Sequence, residues 1–150
     1  MELNESKIIR KKLMDFLSRR EHSDQELKNK LARRVSSLEL LEEEISKLKE
    51  EGLISNKRFA EAYIQSRKNK GFGSLRIERE LQQRGIKAEI SNHIFLEHDW
   101  IDLAEKVAIK KLKNKPLEGL KAEMKIKQFL NYRGFSFGEI EKALDKIKNN

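Results

Sequence analysis

The sequence predicts an all-α protein: three tandem three-helix repeats forming an elongated, curved array. Three observations lead there. Glycine is sparse and Pro116 is the single proline, so few residues oppose long helices. No stretch alternates with period two in β-branched residues, so no strand is expected. Finally, positions recur in register: Arg34, Arg84 and Arg133 lie 50 and then 49 residues apart. Leu27, Ile77 and Ile126 stand seven residues before these arginines, and Leu31, Leu81 and Leu130 three residues before them. Such self-similarity marks modules with too little core to stand alone, which borrow apolar surface from their neighbours. The repeats are placed at residues 1–54, 55–98 and 99–150.

Each element has its own signal. A first helix carries Ile9, Leu13, Phe16 and Leu17 on one face, with Lys7, Arg10, Lys11 and Lys12 opposite. After a break at Arg20–His22, Ser23 and Glu26 have capping-box spacing and open a short helix with Leu27 and Leu31 inward. Ser36 and Glu39 repeat that spacing before a third helix expected to bury Leu38, Leu41, Ile45 and Leu48. Gly52 takes its left-handed C′ place, with Leu53 folding back on the last turn. Ser55 signals a fourth helix with Phe59, Ala62, Tyr63 and Ser66 along its inner side, running to a break at Gly71-Phe72-Gly73. Ser74 is expected to cap a fifth helix, with Ile77 and Leu81 inward and Gly85 at its end; Ile86, Ile90 and Ile94 mark a sixth, reaching about His98. Trp100, Leu103, Ala104, Val107, Ala108 and Leu112 form a seventh that stops before Pro116. Leu120, Met124, Ile126, Phe129 and Leu130 build an eighth, ended by Gly134. Phe135, Ser136, Glu139 and Ile140 combine a hydrophobic staple with a capping box and open a ninth. The first repeat lacks the glycine after its arginine, and Ser36 and Ser37 take up that turn.

Composition narrows the function. With 33 basic against 25 acidic residues, a net charge of +8 and a pI near 9.6, a polyanionic partner is favoured. The absence of cysteine excludes disulfides, thiolate metal sites and cysteine nucleophiles, and fits a reducing cytoplasm. No apolar run is long enough for a bilayer, and the first twelve residues lack the apolar region of a secretion signal. A soluble, cytoplasmic protein with no membrane association is expected.

Catalysis finds no constellation. His22, His93 and His98 read as partly exposed helix-end residues, and His93 and His98 are five apart, on different helix faces. Glu42-Glu43-Glu44 and Glu50-Glu51, flanked by lysines, read as a solvated face. Gly71-Phe72-Gly73 lacks the preceding strand, the lysine–serine pair and the third glycine of a phosphate loop. No enzyme, cofactor or metal is expected.

Binding finds two regions. The first places Arg67, Lys68, Lys70, Arg76, Arg79, Arg84 and Lys87 against only Glu78 and Glu80. Arginine grips carboxylates or phosphates bidentately, and cations so crowded repel unless they meet an anion. Phe72 either stacks on a base, fills a partner's pocket or plugs a helix junction, the last being favoured. The other region holds Lys106, Lys110, Lys111, Lys113, Lys115, Lys121, Lys125 and Lys127, of which Lys106, Lys110 and Lys113 share a helix face. Tyr132, Phe135 and Phe137 follow; aromatics among cations suit single-stranded nucleic acid, although Phe135 reads as core. The candidate partner- and DNA-binding residues are therefore Arg67, Lys68, Lys70, Phe72, Arg76, Arg79, Arg84, Lys106, Lys110 and Lys113.

These residues bring a family into view. Arg19-Arg20-Glu21-His22-Ser23 leads to Glu26-Leu27 and Lys30-Leu31, and Glu50-Glu51-Gly52-Leu53-Ile54 leads into Arg58-Phe59-Ala60-Glu61-Ala62-Tyr63. Arg67, Lys70-Gly71-Phe72-Gly73, Arg76-Ile77, Glu80-Leu81 and Arg84-Gly85-Ile86 follow, with Tyr132-Arg133-Gly134-Phe135-Ser136-Phe137 near the C-terminus. In order and spacing the chain resembles the RecX regulators over nearly its whole length. The resemblance implies three tandem three-helix repeats, a cytoplasmic location, and binding in the helical groove of a RecA filament on single-stranded DNA. It also implies inhibition of RecA's recombinase and co-protease activities, hence a part in DNA repair and the SOS response, with some affinity for DNA itself. Arg67, Gly71, Gly73, Arg76 and Gly85 match the family's most characteristic positions. A monomer is expected. Two rivals stand beside this reading: a stand-alone helix-turn-helix-like DNA-binding protein whose reading helix is residues 74–84, and a scaffold whose charge only solubilises it.

Overall fold

In a computed structural model, which describes residues 2–150 with side chains from Asn4 onward, the chain is all helix. The described residues form α1 (Glu2–Arg19), α2 (Asp24–Leu31), α3 (Leu38–Glu50), α4 (Asn56–Asn69), α5 (Ser74–Gln83), α6 (Ala88–Leu96), α7 (Trp100–Leu112), α8 (Leu120–Arg133) and α9 (Phe137–Lys148), with no strand among them. They gather into two compact units. One holds the chain up to residue 62 together with 81–91; the other holds 63–80 and 92–150. Helices α4, α5 and α6 each contribute to both.

In the first unit, α1 and α2 pack on α3 around Leu13, Leu27, Leu31, Leu41, Leu48 and Ile54. In the second, α7 packs on α8 and α9 around Ala104, Ala108, Ile126, Leu130, Phe135 and Leu144. The recurring apolar positions are core in every repeat: Leu27, Ile77, Ile126, Leu31, Leu81 and Leu130 are all at most 3% exposed.

The recurring arginine–glycine turn has a physical task. A helix leaves its last carbonyls and first amides without partners inside the helix. In the second unit the turn that ends α8 meets the start of α5: Gly73 N–H donates to the Arg133 carbonyl at 2.8 Å, and Leu75 N–H to the Gly134 carbonyl at 2.9 Å. In the first unit Ser23, at the corresponding place before α2, donates its hydroxyl to the Arg84 carbonyl at 2.8 Å while accepting from Glu26 N–H. The fit leaves no room for a side chain. A Cβ on Gly134 would lie 2.3 Å from Arg76 Cβ, one on Gly73 2.5 Å from the Gly134 backbone, and one on Gly85 2.6 Å from Gln25 Cβ. Gly85 and Gly134 also have φ of +80° and +100°, which side chains rarely tolerate. At the first repeat's turn Val35 has no positive φ, and among the described residues no helix start hydrogen-bonds to the Arg34 or Val35 carbonyl.

The capping boxes at Ser23–Glu26 and Ser136–Glu139 form with both reciprocal bonds, and Phe135 is fully buried beneath the second. Elsewhere local expectations shift. The N-cap of α3 is Ser37, which accepts from Leu40 N–H, while Ser36 turns its hydroxyl to Glu5. Leu38 therefore points outward and Ile54, not Leu53, fills the core. On α4 the buried stripe is Phe59, Ala60 and Ile64, with Ala62 and Ser66 exposed. Ser74 is the first residue of α5 rather than its cap; Gly73 holds the cap position, and the Gly134 carbonyl substitutes for a capping side chain. Leu120 and Met124 lie exposed, because α8 buries only the Ile126–Leu130 side. Glu44, expected on a solvated face, is 4% exposed beside Arg10 and Lys47.

His22 departs most from expectation: it is 1% exposed, not a surface residue. Its Nε2 accepts from the Lys30 ammonium at 2.9 Å, which leaves Nδ1–H to donate to the Arg20 carbonyl at 3.0 Å. Burial, then the charges of Arg20 and Lys30, push this imidazole below its ordinary range. The unfolded chain takes up a proton near pH ~6.5 and the folded chain resists it, so stability falls as pH drops through that value. Urea midpoints followed by circular dichroism at pH 7.5 and 5.5 should fall for wild type and fall less for His22→Gln. The seam is tested by Gly134→Ala, expected to cost about 2–5 kcal/mol. Gly138→Ala, in open space on α9, should range from neutral to about 1 kcal/mol stabilising. Trp100, buried in the second unit, reports both by its fluorescence.

Candidate functional site

The second unit contains a cavity of about 380 Å³ between the end of α4, the turn after it, α7 and α8. Its wall carries Lys68, Lys70, Lys106, Lys110, Lys111, Lys113 and Arg133, and no carboxylate; Leu103, Val107 and Phe129 supply an apolar floor. The helical spacing on α7 aims Lys106 and Lys110 into it, and Lys113, in a left-handed turn (φ 52°) just past the helix end, stands at the rim. Gly71 allows the α4 end to approach α7: a Cβ there would lie 3.2 Å from Val107. Arg133 ties the wall together by donating to the Lys70 carbonyl at 3.0 Å.

Not every cation here is equally free. Lys106 pairs with Asp102 at 3.0 Å, and Lys68 donates to His98 Nδ1 at 3.0 Å. Burial and the Lys68 charge hold His98 below its usual pKa. Lys111 lies over the Phe129 ring at 4.8 Å. Among the described residues no ion pair involves Lys110 or Lys113.

Beside the cavity lies a second cluster. Arg67 grips Glu80 with two hydrogen bonds of 2.9 and 2.8 Å, Tyr63 donates to the same carboxylate at 3.0 Å, and Arg76 reaches it at 3.4 Å. Phe72 sits among three guanidiniums, those of Arg67 and Arg76 each 4.1 Å from its centroid and that of Arg133 at 5.0 Å. The anion that Arg67 and Arg76 meet is thus Glu80 of the same chain, and Phe72 is a half-buried junction residue. Burial alone would push the Glu80 carboxyl up, but the bonds from Arg67 and Tyr63 outweigh it and hold it below the usual glutamate range.

Of the ten candidates, Lys68, Lys70, Lys106, Lys110 and Lys113 come together around one cavity, and Arg67, Phe72 and Arg76 form the cluster next to it. Arg79 is exposed on α5, and Arg84 belongs to the first unit, where it faces Glu26 at 3.9 Å. Phe129, Glu80 and Arg133 also belong to the site without having been candidates, and Lys111, named in the second basic region, joins the cavity wall beside the candidates. Arg133 carried a signal, its place in the repeat, which spoke for architecture only. Among the described residues no group could hold a metal ion, and no helix is long and apolar enough to cross a membrane.

Fold and site together define an all-helical protein made of three-helix modules with a cationic cavity. Comparison with known proteins carries this further. Models of the second and third three-helix domains of RecX match residues 55–92 and 97–144. The regulatory protein RecX of Pseudomonas entomophila (strain L48) is 38% identical over 138 residues, covering 91% of this chain and 89% of that one. RecX of Neisseria meningitidis serogroup A is also 38% identical over 138 residues, with 92% and 90% covered. The crystal structure of RecX from Lactobacillus salivarius superposes with a TM-score of 0.87 over 99% of both chains at 22% identity, which speaks for the fold. The chain belongs to the RecX family of regulatory proteins.

Glu80 is depressed in the fold, so its network stabilises above the unfolded glutamate pKa of about 4.3 and is lost as pH falls through the lower folded value. Glu80→Gln should cost about 1–3 kcal/mol at pH 7. Thermal unfolding of the two proteins should converge as the pH is taken below 4, and a gap that stays constant would argue against the network.

Proposed function

We propose that this protein binds RecA filaments assembled on single-stranded DNA and restrains RecA's recombinase and co-protease activities, tempering DNA repair and the SOS response. It acts in the cytoplasm, as a monomer and without a cofactor. The observation that supports this most is the cavity ringed by seven cations with no carboxylate in its wall. Such a ring concentrates positive potential where a phosphate backbone or an acidic protein surface can enter. Lys68, Lys70, Lys106, Lys110 and Lys113 are proposed as direct contacts. Arg79 and Arg84 add cations outside the cavity, while Arg67, Phe72 and Arg76 hold the neighbouring wall in shape and offer their outer edges. The chain is proposed to function as repeats 1–54, 55–98 and 99–150, so that weak contacts to several RecA protomers multiply through effective concentration. Occupying the filament groove would exclude a second duplex or a cleavable repressor.

A groove-reading α5 has a thinner footing. Arg76 on that helix is committed to Glu80 and Phe72, which leaves Arg79 as its exposed cation.

RecA's single-strand-dependent ATP hydrolysis tests the proposal. Stoichiometric wild-type protein should suppress it. Lys106→Glu with Lys110→Glu should demand at least about tenfold more protein for the same suppression, because two charges that attract phosphate become charges that repel it. Unchanged hydrolysis in the presence of wild type would remove the claim.

A further inference from the structure

The second unit leaves a pair of aromatic rings open. Tyr132, near the end of α8, is 76% exposed, and Phe137, the first residue of α9, is 78% exposed; Leu75 beside them is 47% exposed. The seam between α8 and α5 places Leu75 against the turn that carries them: Leu75 N–H is bonded to the carbonyl of Gly134, which lies between the two aromatics in sequence. The other rings nearby are occupied. Phe135 is buried, Phe72 is enclosed by guanidiniums, and Phe129 has Lys111 and Arg133 over it. An apolar patch left open amid charge marks a contact surface.

Its surroundings name the occupant. Arg76 lies 5.9 Å from the Tyr132 centroid and 4.1 Å from that of Phe72; Arg133 lies 5.0 Å from Phe72 and also lines the cationic cavity. A chain of guanidinium–ring contacts therefore links the cavity to Tyr132, and Phe137 stands five residues further on, at the start of α9. The nearby carboxylate of Glu139 is spent inside the fold, on Ser136 N–H at 2.8 Å and the Ser74 hydroxyl at 3.3 Å. Cations that hold a backbone, set next to rings that can take unstacked bases, suit a single strand. A duplex keeps its bases stacked inside and cannot present their faces.

We propose that Tyr132 and Phe137 are base-stacking residues that, with the cavity's cations on the phosphates, make this surface a single-strand site selective against duplex. The inference rests on the reading of the cavity as a phosphate-binding site, and its test separates the two. Purified full-length protein is titrated, without RecA, against a twenty-nucleotide oligothymidylate, an abasic strand of the same length and a duplex of the same length. Wild type should bind oligothymidylate at least about tenfold tighter than the abasic strand, as base–aromatic stacking implies. Tyr132→Ala and Phe137→Ala should each weaken oligothymidylate binding about fivefold and leave abasic-strand affinity unchanged, with Tyr132→Trp retaining it. Lys110→Glu should weaken both strands together. Equal wild-type affinity for the two strands, no binding of oligothymidylate, or a double alanine variant that binds like wild type overturns the stacking proposal. In the first and last of these the cavity reading stands if Lys110→Glu still weakens binding, and falls with it otherwise. Alanine variants that keep oligothymidylate affinity but lose suppression of RecA's ATP hydrolysis would assign the patch to a protein partner instead.

Discussion

The structure depends on helix ends that satisfy one another. The carbonyls with which α5 and α8 finish are acceptors for groups at the starts of α2 and α5, so polar atoms that a lone helix would leave to water are paired within each unit. This contact needs backbones to touch, and it explains the glycines at 85 and 134 better than turn geometry alone does. It also explains why the first repeat manages without one. The turn at Arg34–Val35 receives no helix start among the described residues, so nothing there forbids a side chain. The compact units follow the same logic, since each contains one such seam and the apolar residues around it. A repeat is thus the unit of sequence, while the seam between consecutive repeats organises each unit.

The candidate site is built on the second seam. With the end of α8 fixed against the start of α5, Arg133 is held where it can reach the Lys70 carbonyl and the Phe72 and Phe129 rings. The same anchoring sets the turn after α4 over Val107 and brings the lysines of α7 opposite Lys68 and Lys70. A cavity made of long cationic side chains would be a poorly defined object on independent helices. Here its frame is backbone hydrogen bonding, and the parts that can adapt are lysine tips such as those of Lys110 and Lys113.

Much of the fold was legible in the residues because its signals are local. Capping boxes at Ser23 and Ser136 and apolar periodicity each involve a single helix. The recurring arginine, with leucine or isoleucine before it, needed only counting. What failed were choices between near-equal neighbours: Ser36 or Ser37 as a cap, Leu53 or Ile54 as the core residue, one or another stripe on α4. A one-residue shift turns a helix face by about 100°, and the arbiter is the packing partner, which the local sequence does not name. His22 and Glu44 were misplaced for a related reason. Both are buried beside cations from other positions in the chain, Lys30 for one and Arg10 for the other, and polar type alone points such residues outward.

The charge shows the limit of composition most clearly. Counting cations between Arg67 and Lys87 treats each as equally available, yet Arg67 and Arg76 share Glu80 and spend their planar faces on Phe72. An arginine that is neutralised and stacked shapes a surface; a lysine such as Lys110, outside any ion pair among the described residues, leaves its field outside the fold. The two kinds look alike in sequence and differ in what removing them does, one disturbing the frame and the other only the potential. Arg133 belongs to both at once, since its main chain forms the seam and its side chain lines the cavity. That double use couples architecture to binding: a change that loosens the turn at Gly134 would blur the cationic cavity even though no lysine had been touched.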